Sequence, residues 1–184
     1  EQYRHPTRNP EAYWLEAIRR DAGDSRCNHM LGRWHLRRGE FEQAEQYLRT
    51  AISSLIRRNP NPYDGEPHYN LGLTLRYQQR TAEAYDAFYK STWNAAWRGP
   101  GYHRLAEIDC TRGEWPKALD HLNRSLRADA DNLTARNLKT IVLNRLGRSE
   151  EANRLLDETQ TLDPLDVFGR FLRHGEIPND PQMQ

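Results

Sequence analysis

Ala84, Ala118 and Ala152 are spaced by 34 residues each, and Ala44 stands 40 residues before the first of them. Other residues keep the same beat: Gly39, Gly113 and Gly147 lie five positions before an alanine, and Leu48, Phe88, Leu122 and Leu156 lie four after one. A small side chain followed one helical turn later by a large apolar one suits a close crossing of two helices, where only the small residue fits and the large one fills the gap beside it. A period of ~34 residues is the length of one helix-turn-helix unit. The chain is thereby constrained to a stack of like helical pairs, and such a stack presents a long surface for binding.

Composition fits a thin stack better than a thick globule, since only 36% of the 184 residues are hydrophobic and 29% are charged. One elongated domain is expected rather than two. The formal net charge of +1 provides no bulk field to draw in nucleic acid or an anionic membrane, so neither is expected as a partner. Basic residues are 24 Arg and 3 Lys; the bias fits either forks for carboxylate or phosphate, or plain codon usage, and no arginine block exceeds two. Cys27 and Cys110 fall in different repeats without zinc-type spacing, as reduced thiols of a cytoplasmic protein would. There is no ~20-residue apolar run and no charged-then-apolar leader. Because Glu1 is not an initiator methionine, the chain reads as an excised or processed piece.

With each alanine set at position 20, repeats start near residues 25, 65, 99 and 133. Positions 7 and 8 then read Leu31-Gly32, Leu71-Gly72 and Leu105-Ala106, and position 27 reads Ala51, Ser91, Ser125 and Thr159. Pro164 falls where a second helix should end. The segments Arg38-Gly39-Glu40-Phe41-Glu42-Gln43-Ala44 and Arg112-Gly113-Glu114-Trp115-Pro116-Lys117-Ala118 carry a resemblance to the tetratricopeptide repeat family, which spans about Pro10 to Pro164. The resemblance implies an all-α, right-handed solenoid of about four helical hairpins whose first helices (A) line a concave groove and whose second helices (B) lie outside. Residues 10–21 look like a B helix without its A helix, so the array is expected to start upstream, leaving Tyr13, Trp14 and Ile18 on an end open to homo-oligomer formation. Lys139 and Thr140 break the Leu-Gly pattern of the fourth repeat, whose A helix should pack more loosely or act as a polar cap. Arg170 to Arg173 read as a short capping helix ending the solenoid of residues 1–175, and residues 176–184 as a disordered tail.

The sequence contains no GxSxG, HExxH, P-loop or dinucleotide fingerprint. Candidate metal pairs, His29 with His35 and His103 with Asp109, are six residues apart and so face different sides of a helix. A non-catalytic binding module is expected, with no cofactor and no metal. In the family, A-helix positions 2, 5, 6, 9, 12 and 13 face the groove or its rim. Those positions hold His29, Arg33 and Arg37; Tyr69, Asn70, Leu73, Arg76 and Tyr77; His103, Arg104 and Glu107; and Asn137, Ile141, Asn144 and Arg145. This basic, aromatic lining suits a protein or peptide partner with acidic side chains or a carboxylate. The carboxylate clamp of chaperone-binding members would map to His29, Arg33, Asn70, Pro100 and Arg104, of which only Asn70 and Arg104 match identically.

The six extra residues of the first interval fall in Arg58 to Pro67, which holds three prolines and a glycine and reads as a rigid turn. From Tyr63 to Tyr102 aromatic residues crowd the chain. Some are expected in the inter-repeat core. Others, with Tyr63, Asp64, His68, Trp93 and Trp97 as candidates, suit a carbohydrate-stacking or protein-docking face beside Glu66 and Arg98. The Asn59 to Pro67 segment, Tyr69-Asn70-Leu71-Gly72 and Trp93-Asn94-Ala95-Ala96-Trp97 are also similar to the repeat region of large multidomain bacterial proteins with β-rich, carbohydrate-associated domains. That resemblance implies the alternative of an accessory module of a glycan-processing enzyme, touching carbohydrate through an attached domain.

Overall fold

In the computed structural model, residues 10–57 and 64–174 are described; they form ten α-helices and, among those residues, no strand. A leading helix, α1 (Pro10–Arg20), precedes the pair α2 (Ser25–Arg38) and α3 (Phe41–Ile56) and the pair α4 (Glu66–Tyr77) and α5 (Thr81–Ser91). Then come α6 (Ala95–Thr111) with α7 (Trp115–Ala128), α8 (Leu133–Arg145) with α9 (Ser149–Leu162), and a short α10 (Val167–His174). The chain divides into two compact units, Glu1–Trp97 and Arg98–Gln184, the division falling inside α6.

Sequence dictates the punctuation. A short polar side chain stands just before four of the first helices of the pairs or the cap. Asp24 accepts the Cys27 N–H at 2.8 Å, Asp64 the Glu66 N–H at 2.9 Å, Asn132 the Ala135 N–H at 2.9 Å and Asp166 the Gly169 N–H at 3.1 Å. Each satisfies a helix-start donor that has no partner inside the helix. Between the two helices of a pair the chain reverses through a left-handed residue: Gly39 (φ 75°), Gly113 (φ 74°) and Gly147 (φ 73°). The second repeat places Gln79 there, at φ 63°.

Within the first unit the small-large rule is literal. Ala44, Ala84, Leu48 and Phe88 are wholly buried. A Cβ added to Gly32 would stand 2.5 Å from Leu48 Cγ, and one added to Gly72 would stand 2.6 Å from two Phe88 ring carbons. Glycine at position 8 is thus the partner of the large residue at position 24. Outside this core, Glu45 of α3 accepts from Arg49 at 2.8 Å and from Arg80 at 2.6 Å, linking one pair to the next. Helix α1 rests an edge of Trp14 on Trp34, ring centroids 6.1 Å apart, while Tyr13 stays exposed.

The second unit repeats the scheme around Ala106, Ala118, Leu122, Val142, Leu143 and Ala152. Thr140 takes the place of the position-8 glycine and is buried, its hydroxyl satisfied by donation to the Arg136 carbonyl at 3.1 Å. Buried Asp109 accepts from His121 Nδ1 at 2.7 Å, and Tyr102 stacks on that imidazole. Helix α6 begins at Ala95, four residues before Gly99, because Ala95-Ala96-Trp97-Arg98 carries no helix breaker and Asn94 caps the Ala96 N–H at 3.0 Å. Pro100 therefore lies inside a helix, where it removes one backbone bond.

Candidate functional site

In the first unit, α2 and α4 flank a recess of about 530 Å³ lined by Arg33, Leu36, Arg37, Gly39, Phe41, Glu66, Asn70, Leu73, Tyr77 and Trp97. Helical spacing explains the set, since Arg33 and Arg37, and Asn70, Leu73 and Tyr77, each lie a turn apart on one face. Tyr77, 63% exposed, stacks flat on Phe41 with centroids 5.2 Å apart. Tyr69, half-buried, lies 4.8 Å from Trp97 and meets Phe88 edge-on at 5.6 Å. Arg37 is exposed at the rim and Arg76 is half-buried on α4. The recess sets two guanidinium groups and one carboxylate, Glu66, beside aromatic and aliphatic walls.

Polar residues at its inner end are bound to one another. Asn70 Nδ2 donates to His29 Nε2 at 3.0 Å, and Arg33 Nη1 lies 3.1 Å from Glu66 Oε1. His29 and Asn70 are both buried. Burial holds the His29 imidazole below its ordinary value, against the upward pull of Glu66 and Asp64 and with a smaller downward push from Arg33.

A register rule emerges at position 5, which sequence reasoning assigned to the groove. His29 faces the start of α4, where His29 Nε2 is 4.0 Å from Glu66 Oε1. Tyr69 is packed against Trp97. In the second unit, buried Asn137 donates to Asp166, just before α10, at 2.7 Å. These side chains sit where one repeat hands over to the next.

The second unit has its own recess of about 450 Å³, lined by His103, Glu107, Leu133, Thr134, Asn137, Leu138, Ile141, Asp166 and Phe168. Glu107 is shared there by His103 Nε2 at 3.3 Å and Arg104 Nη1 at 2.8 Å. Asn137 Oδ1 is buried without a donor among the described residues.

The residues suggested as an aromatic face are not gathered on one recess. Tyr63 lies outside the described residues, Trp93 is 52% exposed between α5 and α6, and Trp97 belongs to the α2–α4 recess. His68 is buried in a separate recess of about 300 Å³ with Ile52, Leu71, Leu75 and Ala87, ringed by Arg49 and Lys90. Burial, with a smaller contribution from Lys90, lowers its pKa to about 4. Sequence reasoning noted His29 and Asp64 separately but did not join them. Leu36 and Phe41 were not singled out as recess walls; the signal for them was an apolar residue a turn from each groove arginine.

Paired helices joined by turns of two or three residues, with small residues at the crossings and polar side chains lining the recesses, define a helical-repeat fold. The family profile described as tetratricopeptide repeat matches residues 27–63. The crystal structure of MamA is similar at 15% identity with a TM-score of 0.73, covering 84% of this chain and 86% of that one. YrrB, described as a TPR protein with an unusual peptide-binding site, is similar at 13% identity with a TM-score of 0.69, covering 89% of this chain and 81% of that one. Pseudomonas aeruginosa pilF matches at 18% identity with a TM-score of 0.73, over 90% of this chain and 73% of that one. The family match covers residues 27–63 alone, and at these identities the likeness to solved structures is one of fold. No helix among the described residues is long and apolar enough to cross a membrane.

Proposed function

We propose that the α2–α4 recess holds an extended, acidic segment of a protein partner. The tetratricopeptide fold serves in general as a non-catalytic scaffold for protein–protein interaction. The observation that carries the finer reading is the joint placement of Arg33, Arg37 and Asn70 with Phe41, Leu73, Tyr77 and Trp97 around one recess of about 530 Å³. Arg37 supplies a fork at the rim for a carboxylate, and the Phe41–Tyr77 stack supplies a flat apolar wall for the neighbouring residue. Stacked helices fix these groups before the partner arrives, which reduces the ordering cost of binding. The peptide-binding site in YrrB's description is a property of that protein and lends the reading a precedent on the same fold.

Fluorescence anisotropy with a pool of Asp- and Glu-rich peptides and a lysine-substituted control pool tests this. Acidic peptides should bind and weaken with salt. Arg37→Ala should reduce affinity about tenfold, the loss of one charge-assisted hydrogen bond, and Tyr77→Ala should also reduce it. Equal binding of both pools, or affinity unchanged in both variants, would overturn the assignment.

A further inference from the structure

We infer that His29, Asp64 and Glu66 form a zinc-binding site that clips α2 to the start of α4. This goes beyond the peptide reading and does not rest on it. The three side chains come from points 35 and 37 residues apart in sequence, yet their ligand atoms all lie within 4.8 Å of one another. An ion bound at 2.0–2.2 Å from each ligand needs separations no larger than about 4.4 Å, so small carboxylate rotations close the set. The least mobile member is His29, only 7% exposed and seated on α2. Asp64 and Glu66 flank the beginning of α4, and the Glu66 side chain keeps 24% of its surface, leaving an entry path.

The chemistry selects the ion. Asn70 can only donate from Nδ2, so the His29 Nε2 that receives it carries a lone pair, the form that ligates metal. Glu66 Oε1 lies 4.0 Å from that nitrogen and Asp64 completes the cluster, an arrangement of acceptors that a cation would satisfy. One imidazole nitrogen with two carboxylate oxygens and a remaining position for water is a zinc set; magnesium and calcium prefer oxygen alone.

Two groups oppose the ion and thereby fix its behaviour. Arg33 lies 3.1 Å from Glu66 Oε1 and must swing away, which its 32% exposed side chain permits. Asn70 must withdraw its amide from Nε2, since one lone pair cannot serve both. The positive end of α4 adds to the opposition, so binding should be micromolar rather than nanomolar. Removing Arg33 should therefore strengthen zinc binding while weakening an acidic peptide.

The test is calorimetric titration of the whole chain with Zn²⁺, paired with the visible spectrum of its Co²⁺ form. We expect a single micromolar site with tetrahedral cobalt bands and no sulfur-to-metal charge transfer. Glu66→Gln, at the more accessible edge, and His29→Gln should each weaken it by more than about tenfold through loss of one of three ligands. Arg33→Gln should tighten it several-fold. No micromolar zinc binding, thiolate bands from Cys27, or unchanged affinity in Glu66→Gln would each overturn the site. In Arg33→Gln, weakened acidic-peptide binding with raised zinc affinity would support both readings; weakened peptide binding with zinc affinity not raised would count against the zinc site alone, and raised zinc affinity with peptide binding unchanged would count against the peptide reading alone.

Discussion

Gly72→Ala probes the crossing of α4 over α5 by adding one methyl group. Its Cβ would stand 2.6 Å from Phe88 Cδ1 and Cε1 and 2.9 Å from Cγ, about 1 Å inside ordinary carbon–carbon contact. Phe88 has no exposed surface and Tyr69 meets its ring edge-on at 5.6 Å, so the ring cannot sidestep. Either the helices separate or the ring leaves its rotamer, and overpacking of this kind costs about 1–3 kcal/mol. Alanine recovers about 1 kcal/mol of helix propensity relative to glycine, so the expected net loss is at most about 2 kcal/mol. Phe88→Leu gives position 24 the residue found in the two repeats whose position 8 is larger than glycine, Leu122 with Ala106 and Leu156 with Thr140, and it makes room for the methyl group. Urea unfolding followed by circular dichroism, read with amide exchange in α4 and α5 because repeats can open separately, would measure both single variants and the double. The double variant should lose at least about 1 kcal/mol less than the sum of the singles. Strict additivity would refute the crossing argument.

Gln79 is the only non-glycine residue with positive φ among the described residues, at the turn position where three other repeats use glycine. Gln79→Gly should raise stability by up to about 1 kcal/mol in the same unfolding assay, relief of left-handed strain outweighing glycine's added chain entropy. His68, with its pKa lowered to about 4 by burial, should make stability depend on pH. Above its ordinary value of ~6.5 neither state takes up a proton and its contribution is intact. As pH falls from about 6.5 to about 4 only the unfolded chain is protonated, so stability declines, by on the order of 2–3 kcal/mol, and then levels. The lowered pKa of His29 acts in the same direction. His68→Gln should flatten the thermal midpoint across that window, and an unchanged slope would exclude His68 as its source.

The fold was legible because packing at crossings leaves its mark on every repeat. Ala44, Ala84, Ala118 and Ala152 are all fully buried, and Ala51, Ser91, Ser125 and Thr159 at position 27 are buried with them. Local signals read less well where composition and context disagree. The alanine register placed a repeat start near Gly99, yet α6 starts at Ala95 because the Asn94 cap and four tolerant residues nucleate it earlier. The site was only half legible. Helical register supplied the arginines and tyrosines of the α2–α4 recess, but it counts residues within a repeat, and the grouping of His29 with Asp64 and Glu66 lies across two. The period held part of that information, since position 5 of one repeat lies near the start of the next first helix in the contacts of His29, Tyr69 and Asn137.

That meeting point explains how one architecture supports different chemistries. At position 5 a side chain leaves one helix and reaches the start of the next repeat's first helix, where helix-start N–H groups draw in short polar caps. Histidine there faces carboxylates, as His29 does with Glu66; tyrosine there packs on an aromatic ring, as Tyr69 does on Trp97; asparagine there bonds a cap, as Asn137 does with Asp166. Each choice ties two repeats together and shapes the inner end of a recess with the same atoms. A substitution at position 5 should therefore change inter-repeat stability and ligand affinity together, whereas one at a rim residue such as Arg37 should change affinity alone. His29→Gln against Arg37→Ala, each measured for unfolding and for peptide binding, separates the two roles; equal loss of stability in both would show that the rim is part of the stack.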